Sequence, residues 1–204
     1  MLTTGEEEAL RARFYALLAQ LLSGPPGPET LDRLGSLEGD DSDVGRVLAT
    51  LATIARRTSV DDADDEYHRL FIGLTGGEVT PYACFYLTGH LFERPLADLR
   101  RAMEGFGIVR AAHVAEPEDH LASLFDIMHG LIRGGVAAPV DLASQRSFFE
   151  TFIGSWATRF FSDLEDAPSA RLYRPVAALG RVFMDIERQA FAMIGEPAPS
   201  MVAV

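Results

Sequence analysis

Apolar residues recur at intervals of three and four along almost the whole chain, the period that places side chains on one face of an α-helix. Leu10, Phe14, Leu17, Leu18, Leu21 and Leu22 form one such stripe and predict a helix over residues 6–22. Glu6, Glu7 and Glu8 fall in its first turn, where the helix dipole favours acids, and Gly24-Pro25-Pro26-Gly27-Pro28 stops it. A short helix over 29–37 and an acidic loop over 38–43 follow. Val47, Leu48, Leu51, Ile54 and Ala55 predict a helix over 44–58. Acids from Asp61 to Glu66 then open another, which carries Tyr67, Leu70 and Phe71 and ends at Gly73.

Further helices are expected over 83–92 and 96–106, separated by Arg94-Pro95 and closed by Gly107. Pro117, with Glu118 and Asp119 beside it, reads as the first turn of a helix. Leu121, Leu124, Phe125, Met128, Leu131 and Ile132 carry that helix to Gly134-Gly135. Phe148, Phe149, Phe152, Ile153, Trp156 and Phe160 predict one long helix over 144–161. Val176, Leu179, Phe183, Ile186 and Ile194 predict a last helix over 175–194 with those residues inward, and 195–204, holding Pro197 and Pro199, reads as a loose tail. No stretch alternates with period two, and there is no internal repeat or composition shift that would mark a linker. The expected fold is all-α: one domain spanning 1–204, a helical bundle of about eight helices.

Composition narrows the function classes. Hydrophobic residues make up 48% and charged residues 24% of the 204, the balance of an ordinary globular domain. Thirty Asp and Glu against 18 Lys and Arg give a formal net charge of -12. Such a surface argues against nucleic acid and anionic membrane as partners, because both need cations to neutralise phosphate. It suits a cationic partner. One cysteine excludes an internal disulfide and a cysteine-based zinc site. Residues 1–23 hold Glu6 to Glu8 where a secretory signal would hold basic residues, and no run reaches the roughly 18 apolar residues of a membrane span. A cytoplasmic protein is expected.

Machinery for bond-making chemistry is hard to find. Neither phosphate-binding glycine motif occurs, and Gly73 to Gly77 is followed by Glu78 where a phosphate clamp needs Lys. The five histidines never take the H-x-x-x-H spacing that aims two ligands at one metal, and Asp65-x-x-His68 is a single carboxylate–histidine pair with no second copy. Cys84 reads either as a nucleophile awaiting a nearby histidine or, more simply, as a small buried residue between Tyr82 and Tyr86. No catalytic residue, metal site or cofactor is assigned. What stands out is residues 66–120, where apolar and aromatic residues crowd a segment broken by Gly73, Gly76, Gly77 and Pro81. Its closing turn, Glu116 to His120, is either a helix start or an acidic docking point for a cationic, apolar peptide.

Three short motifs in this stretch carry a resemblance. Glu66-Tyr67-His68-Arg69-Leu70-Phe71-Ile72-Gly73, then Pro81-Tyr82-Ala83-Cys84-Phe85-Tyr86, then Glu116-Pro117-Glu118-Asp119-His120 fit the order E-x-x-x-L-F-x-G, P-[YW]-x-S-x-[YW] and E-P-[ED]-D-H. In this the chain resembles the TorD/DmsD (NarJ-type) family of redox-enzyme maturation chaperones. The looser helical pattern around Trp156 and Tyr173 extends the likeness over most of the chain.

The resemblance implies an all-helical, non-enzymatic cytoplasmic chaperone, a monomer or weak homodimer. It implies as partners the twin-arginine signal peptide and the apo form of a molybdopterin-dependent oxidoreductase, held back from export until the cofactor is inserted. The peptide-site positions it implies are Tyr67, Leu70, Phe71, Pro81, Tyr82, Pro117, Asp119 and His120. Asp119 and its neighbours are expected to pair with one guanidinium, while Tyr67, Leu70 and Phe71 bury the other. Tyr67 is expected to be the most exposed of those three, with Leu74 and Tyr82 continuing the surface. Cys84 stands where the family has Ser, and the loop 74–80 matches no family feature. A different class, a regulatory helical protein binding a small molecule or nucleotide at the glycine-rich loop, is the alternative reading.

Overall fold

The computed structural model describes residues 4–73, 76–110, 116–134 and 140–193. Among these the chain forms ten α-helices, one π-helical turn and no strand. The helices are α1 (Thr4–Ser23), α2 (Pro28–Gly35), α3 (Asp43–Ala55), α4 (Val60–Tyr67), α5 (Ala83–Thr88), α6 (Arg94–Gly105), α7 (Leu121–Arg133), α8 (Leu142–Phe152), α9 (Ala157–Asp166) and α10 (Tyr173–Met193). The π-turn, His68–Ile72, continues α4 directly.

Local chemistry sets most boundaries. Ser42, Ser59 and Asp141 each accept a backbone N–H of the first helical turn with their side chains, capping α3, α4 and α8. Pro28 opens α2 and Pro95 sits in the first turn of α6, where a missing N–H costs nothing. Gly89 and Gly134 close α5 and α7 in the left-handed region, at φ of +81° and +76°.

Packing follows the apolar stripes. α1 lies along α7, whose Leu121, Leu124, Phe125, Met128 and Leu131 are all enclosed, and α10 lies along both α9 and α3. At the α9–α10 crossing a Cβ on Gly180 would sit 2.3 Å from the Phe161 ring, so the close approach needs glycine. One charge is wholly inside. Glu187 of α10 accepts Arg11 at 2.7 and 2.8 Å and the Tyr15 hydroxyl at 2.8 Å, and Arg11 also reaches the Gln145 side chain at 3.1 Å. A buried charge is tolerable only when matched in this way.

Several boundaries differ from the expected ones. The stretch 144–161 is two helices, because Ile153 leaves helical geometry and Gly154 follows it; Ile153, Trp156 and Phe160 stay buried through the break, so the hydrophobic period runs on unbroken. Pro117 is not in a helical turn: α7 begins at Leu121, and residues 117–119 form a turn before it. Helix α5 ends at Thr88 rather than near residue 92, at the left-handed Gly89. Leu10 and Ile186, expected inward, lie at the solvent edge. Ile194 and the tail after it lie outside the described residues.

Glu66 does more than its place in an acidic run suggests. It is buried, and its carboxylate accepts the backbone N–H groups of Arg171 at 2.8 Å, Leu172 at 3.0 Å and Tyr173 at 2.8 Å. It therefore caps the start of α10 from the end of α4, satisfying amides and complementing the dipole together. Glu66→Ala removes all three acceptors and should lower the unfolding free energy by about 2–4 kcal/mol. Urea denaturation should show this as a lower midpoint at unchanged slope; an unmoved midpoint would mean that water replaces the carboxylate at no cost.

Candidate functional site

Two short segments make up the candidate site. The first is the π-turn. Its i+5 bond, Gly73 N–H to His68 O at 2.8 Å, closes a wider turn than an α-helix, and such turns are frequent at functional sites. Gly73 then turns the chain back at φ +49°. The returning strand of chain gives the N–H of Glu78 to Arg69 O at 3.2 Å and that of Val79 to Leu70 O at 2.9 Å. A Cβ on Gly77 would lie 2.4 Å from Leu70 O, so this return also requires glycine. The result fixes an aromatic group: Phe71 lies 4.9 Å from Tyr67 and 5.4 Å from Tyr173, centroid to centroid.

The second segment joins residues 81–84 to 119–121. Tyr82 and His120 form an antiparallel bridge, with Ala83 N–H donating to Asp119 O at 3.0 Å and Leu121 N–H to Pro81 O at 2.9 Å. The Asp119 carboxylate accepts Cys84 N–H at 2.9 Å, at the start of α5. His120 Nδ1 accepts Ala122 N–H at 3.1 Å and so caps α7. The Tyr82 and His120 rings meet edge to face at 5.1 Å.

Electrostatics divide the acidic turn. Glu118 is buried, which alone would raise its pKa, yet the hydrogen bonds and charges of Arg100 and Arg110 hold it below the usual carboxylate range. Arg100 contacts it at 2.8 Å. Glu116 is exposed and accepts the Tyr82 hydroxyl. Burial, and then the Glu116 charge, push the Tyr67 phenol above its ordinary value. Tyr82 is raised by burial and by its bond to Glu116. Burial dominates at His120 and lowers it, against the opposite pull of Glu116 and Asp119. At Cys84 burial comes first, then Asp119, and both disfavour the thiolate a nucleophile needs.

Leu70, Phe71, Pro81, Tyr82, Asp119 and His120 fall on these two segments, with Tyr67 at the end of α4 and Pro117 in the turn before α7, and the eight occupy different depths. Phe71, Tyr82 and Pro117 are half-buried, whereas Tyr67, Leu70, Pro81, Asp119 and His120 are buried. Tyr67 is not the most exposed of its trio: its ring packs between Phe71 and Tyr173, and its hydroxyl donates to Leu22 O at 3.2 Å. Asp119 is committed to Cys84, so Glu116 is the carboxylate of the turn that faces solvent. Ile72 and Phe85 add exposed apolar surface, and Leu74 lies outside the described residues. The buried contacts of Glu66 and Tyr173 are not signalled by their spacing, which resembles that of any acidic run or helical stripe, and Glu116 enters the sequence reading only as part of the acidic turn. Among the described residues no group of three or more His, Cys, Asp or Glu side chains is arranged to hold a metal, and no helix is long and apolar enough to cross a membrane.

Among the described residues the architecture is that of an all-helical protein. The family model described as nitrate reductase delta subunit matches residues 37–162, and the chain belongs to that family, whose TorD/NarJ-type members are maturation chaperones. Its relatives include proteins named chaperone protein TorD from Vibrio atlanticus (25% identical, covering 89% of this chain and 94% of that protein) and Aliivibrio fischeri (26%, covering 87% and 92%). A crystal structure of a candidate redox enzyme maturation protein from Archaeoglobus fulgidus shares the fold at a TM-score of 0.57 and 18% identity, over 86% of this chain and 93% of that one.

Two outcomes follow from the site's depth. Tyr67→Ala should behave as a core truncation and lower stability by about 3–5 kcal/mol; a near-parental melting temperature would put the ring at the surface instead. His120 has a depressed pKa in the fold, so below the unfolded value of about 6.5 the unfolded chain binds the extra proton more readily. Its contribution is thus intact above that pH and is lost as pH falls, because protonated Nδ1 can no longer accept Ala122 N–H. Unfolding free energy measured from pH 7.5 to 5 should drop less in His120→Asn, which keeps a capping acceptor, than in the parent. Parallel curves would remove His120 from the cause.

Proposed function

We propose that this chain binds the twin-arginine signal peptide of a molybdopterin-dependent oxidoreductase, in the cytoplasm, and holds the apoenzyme until its cofactor is inserted. The observation that carries the reading is the solvent-facing Glu116 carboxylate held by the hydroxyl of the half-buried Tyr82 ring. A twin-arginine signal offers the complement: adjacent guanidinium groups followed by an apolar stretch. Guanidinium pairs with carboxylate and also stacks on aromatic faces, while apolar residues extend the contact over Phe71, Ile72 and Phe85. The net charge of -12 favours the approach of such a peptide. Membership of a maturation-chaperone family supports the same reading.

Titration of a labelled twin-arginine peptide tests it. Affinity should weaken several-fold between about 0.1 M and 1 M salt, as the screening length shrinks from about 10 Å to about 3 Å. Phe71→Ala should weaken binding several-fold, because large apolar anchors dominate recognition. A peptide that fails to bind at low salt, or one that Phe71→Ala leaves undisturbed, would sink the proposal.

A further inference from the structure

We infer that Glu116 is the residue that makes this surface select arginine, and that Asp119, three residues away, sets its position without receiving the cation. The inference rests on the signal-peptide reading above and names the group that confers its specificity.

The turn 116–119 carries three carboxylates, and the structure gives each a different occupation. Glu118 is buried against Arg100 at 2.8 Å, with Arg110 3.8 Å away, so its charge is already matched. Asp119 is 2% exposed and holds Cys84 N–H at 2.9 Å. Spending that carboxylate on an incoming guanidinium would uncover the head of α5 and break the joint between residues 81–84 and 119–121. Glu116 has neither commitment. Among the described residues it forms no ion pair, it is exposed, and its Oε1 accepts the Tyr82 hydroxyl while the carboxylate keeps its second oxygen for another donor.

Its surroundings favour guanidinium over ammonium. The Tyr82 hydroxyl fixes the carboxylate in one orientation, which suits the two parallel N–H bonds of a planar fork. The ring placed at Glu116 by direct contact is Tyr82, half-buried and edge to face with His120 at 5.1 Å. A guanidinium bound at Glu116 thus lies beside the Tyr82 ring, which offers an aromatic face; an ammonium gains the charge but neither the fork nor the stack. The turn stays rigid because Asp119 and the Tyr82–His120 bridge anchor it from below.

The test compares three synthetic signal peptides, identical except for Arg-Arg, Lys-Lys or Gln-Gln at the paired positions, titrated against the full chain. The parent should bind Arg-Arg at least ten-fold more tightly than Lys-Lys. Glu116→Gln should weaken the Arg-Arg peptide at least ten-fold and bring the Arg-Arg to Lys-Lys ratio close to one, with the melting temperature unchanged. Tyr82→Phe should lower that ratio less. Glu150→Gln, which removes one exposed charge from α8, controls for long-range attraction and should keep the ratio. Discrimination that survives Glu116→Gln, or that is lost in folded Asp119→Asn while Glu116→Gln retains it, overturns the assignment. A parent that binds none of the three peptides overturns the signal-peptide reading, and this assignment with it.

Discussion

A single buried carboxylate ties the far ends of this fold together. Glu66, at the end of α4, holds three successive amides at the head of α10, more than a hundred residues further along the chain. Without that contact the first turn of α10 would leave buried donors unmet, and Tyr173 would lose the anchor that holds it against Tyr67 and Phe71. The aromatic part of the candidate site therefore depends on an acid that never reaches the surface. Glu78 repeats the device nearby, accepting the Ser169 N–H at 3.0 Å and its hydroxyl at 2.5 Å. The π-turn and its return loop are thus fastened to the α9–α10 junction at both ends.

The second half of the site uses the same physics. Asp119 holds Cys84 N–H much as Glu66 holds the amides before Tyr173: a buried acid at the start of a helix, where orphan donors and the dipole both favour it. In each case the carboxylate joins segments distant in sequence. Glu116 and Phe71 are less enclosed than Asp119 and Leu70, and these are the groups the proposed contact uses.

Much of the fold was legible before any coordinates, because the helices bury one face each and their period survives in the residue pattern. Failures came where a turn preserved that period. Ile153, Trp156 and Phe160 all point inward across the break at Gly154, so hydrophobic spacing alone could not expose it. Pro117 resembled a helix start because acids follow it, yet the cap is His120, a residue that rarely signals one. The candidate site was located through three motifs, but their roles by depth were not. Asp61 to Glu66 reads as one charged run, and only tertiary contact separates the exposed acids from the buried Glu66.

The motif spacing itself now has a physical account. In E-x-x-x-L-F-x-G, Glu66 and Leu70 are four residues apart and share the inward face, one meeting amides and the other the core. Phe71, four residues after Tyr67, lies half-buried beside it in the π-turn, and Gly73 accepts the positive φ that reverses the chain. Likewise, Pro81 and Asp119 contribute backbone carbonyls to the joint that seats Tyr82 beside Glu116. Each motif therefore combines buried fastening groups with a group left nearer the surface: Glu66 with Phe71, Pro81 with Tyr82, and Asp119 with Glu116.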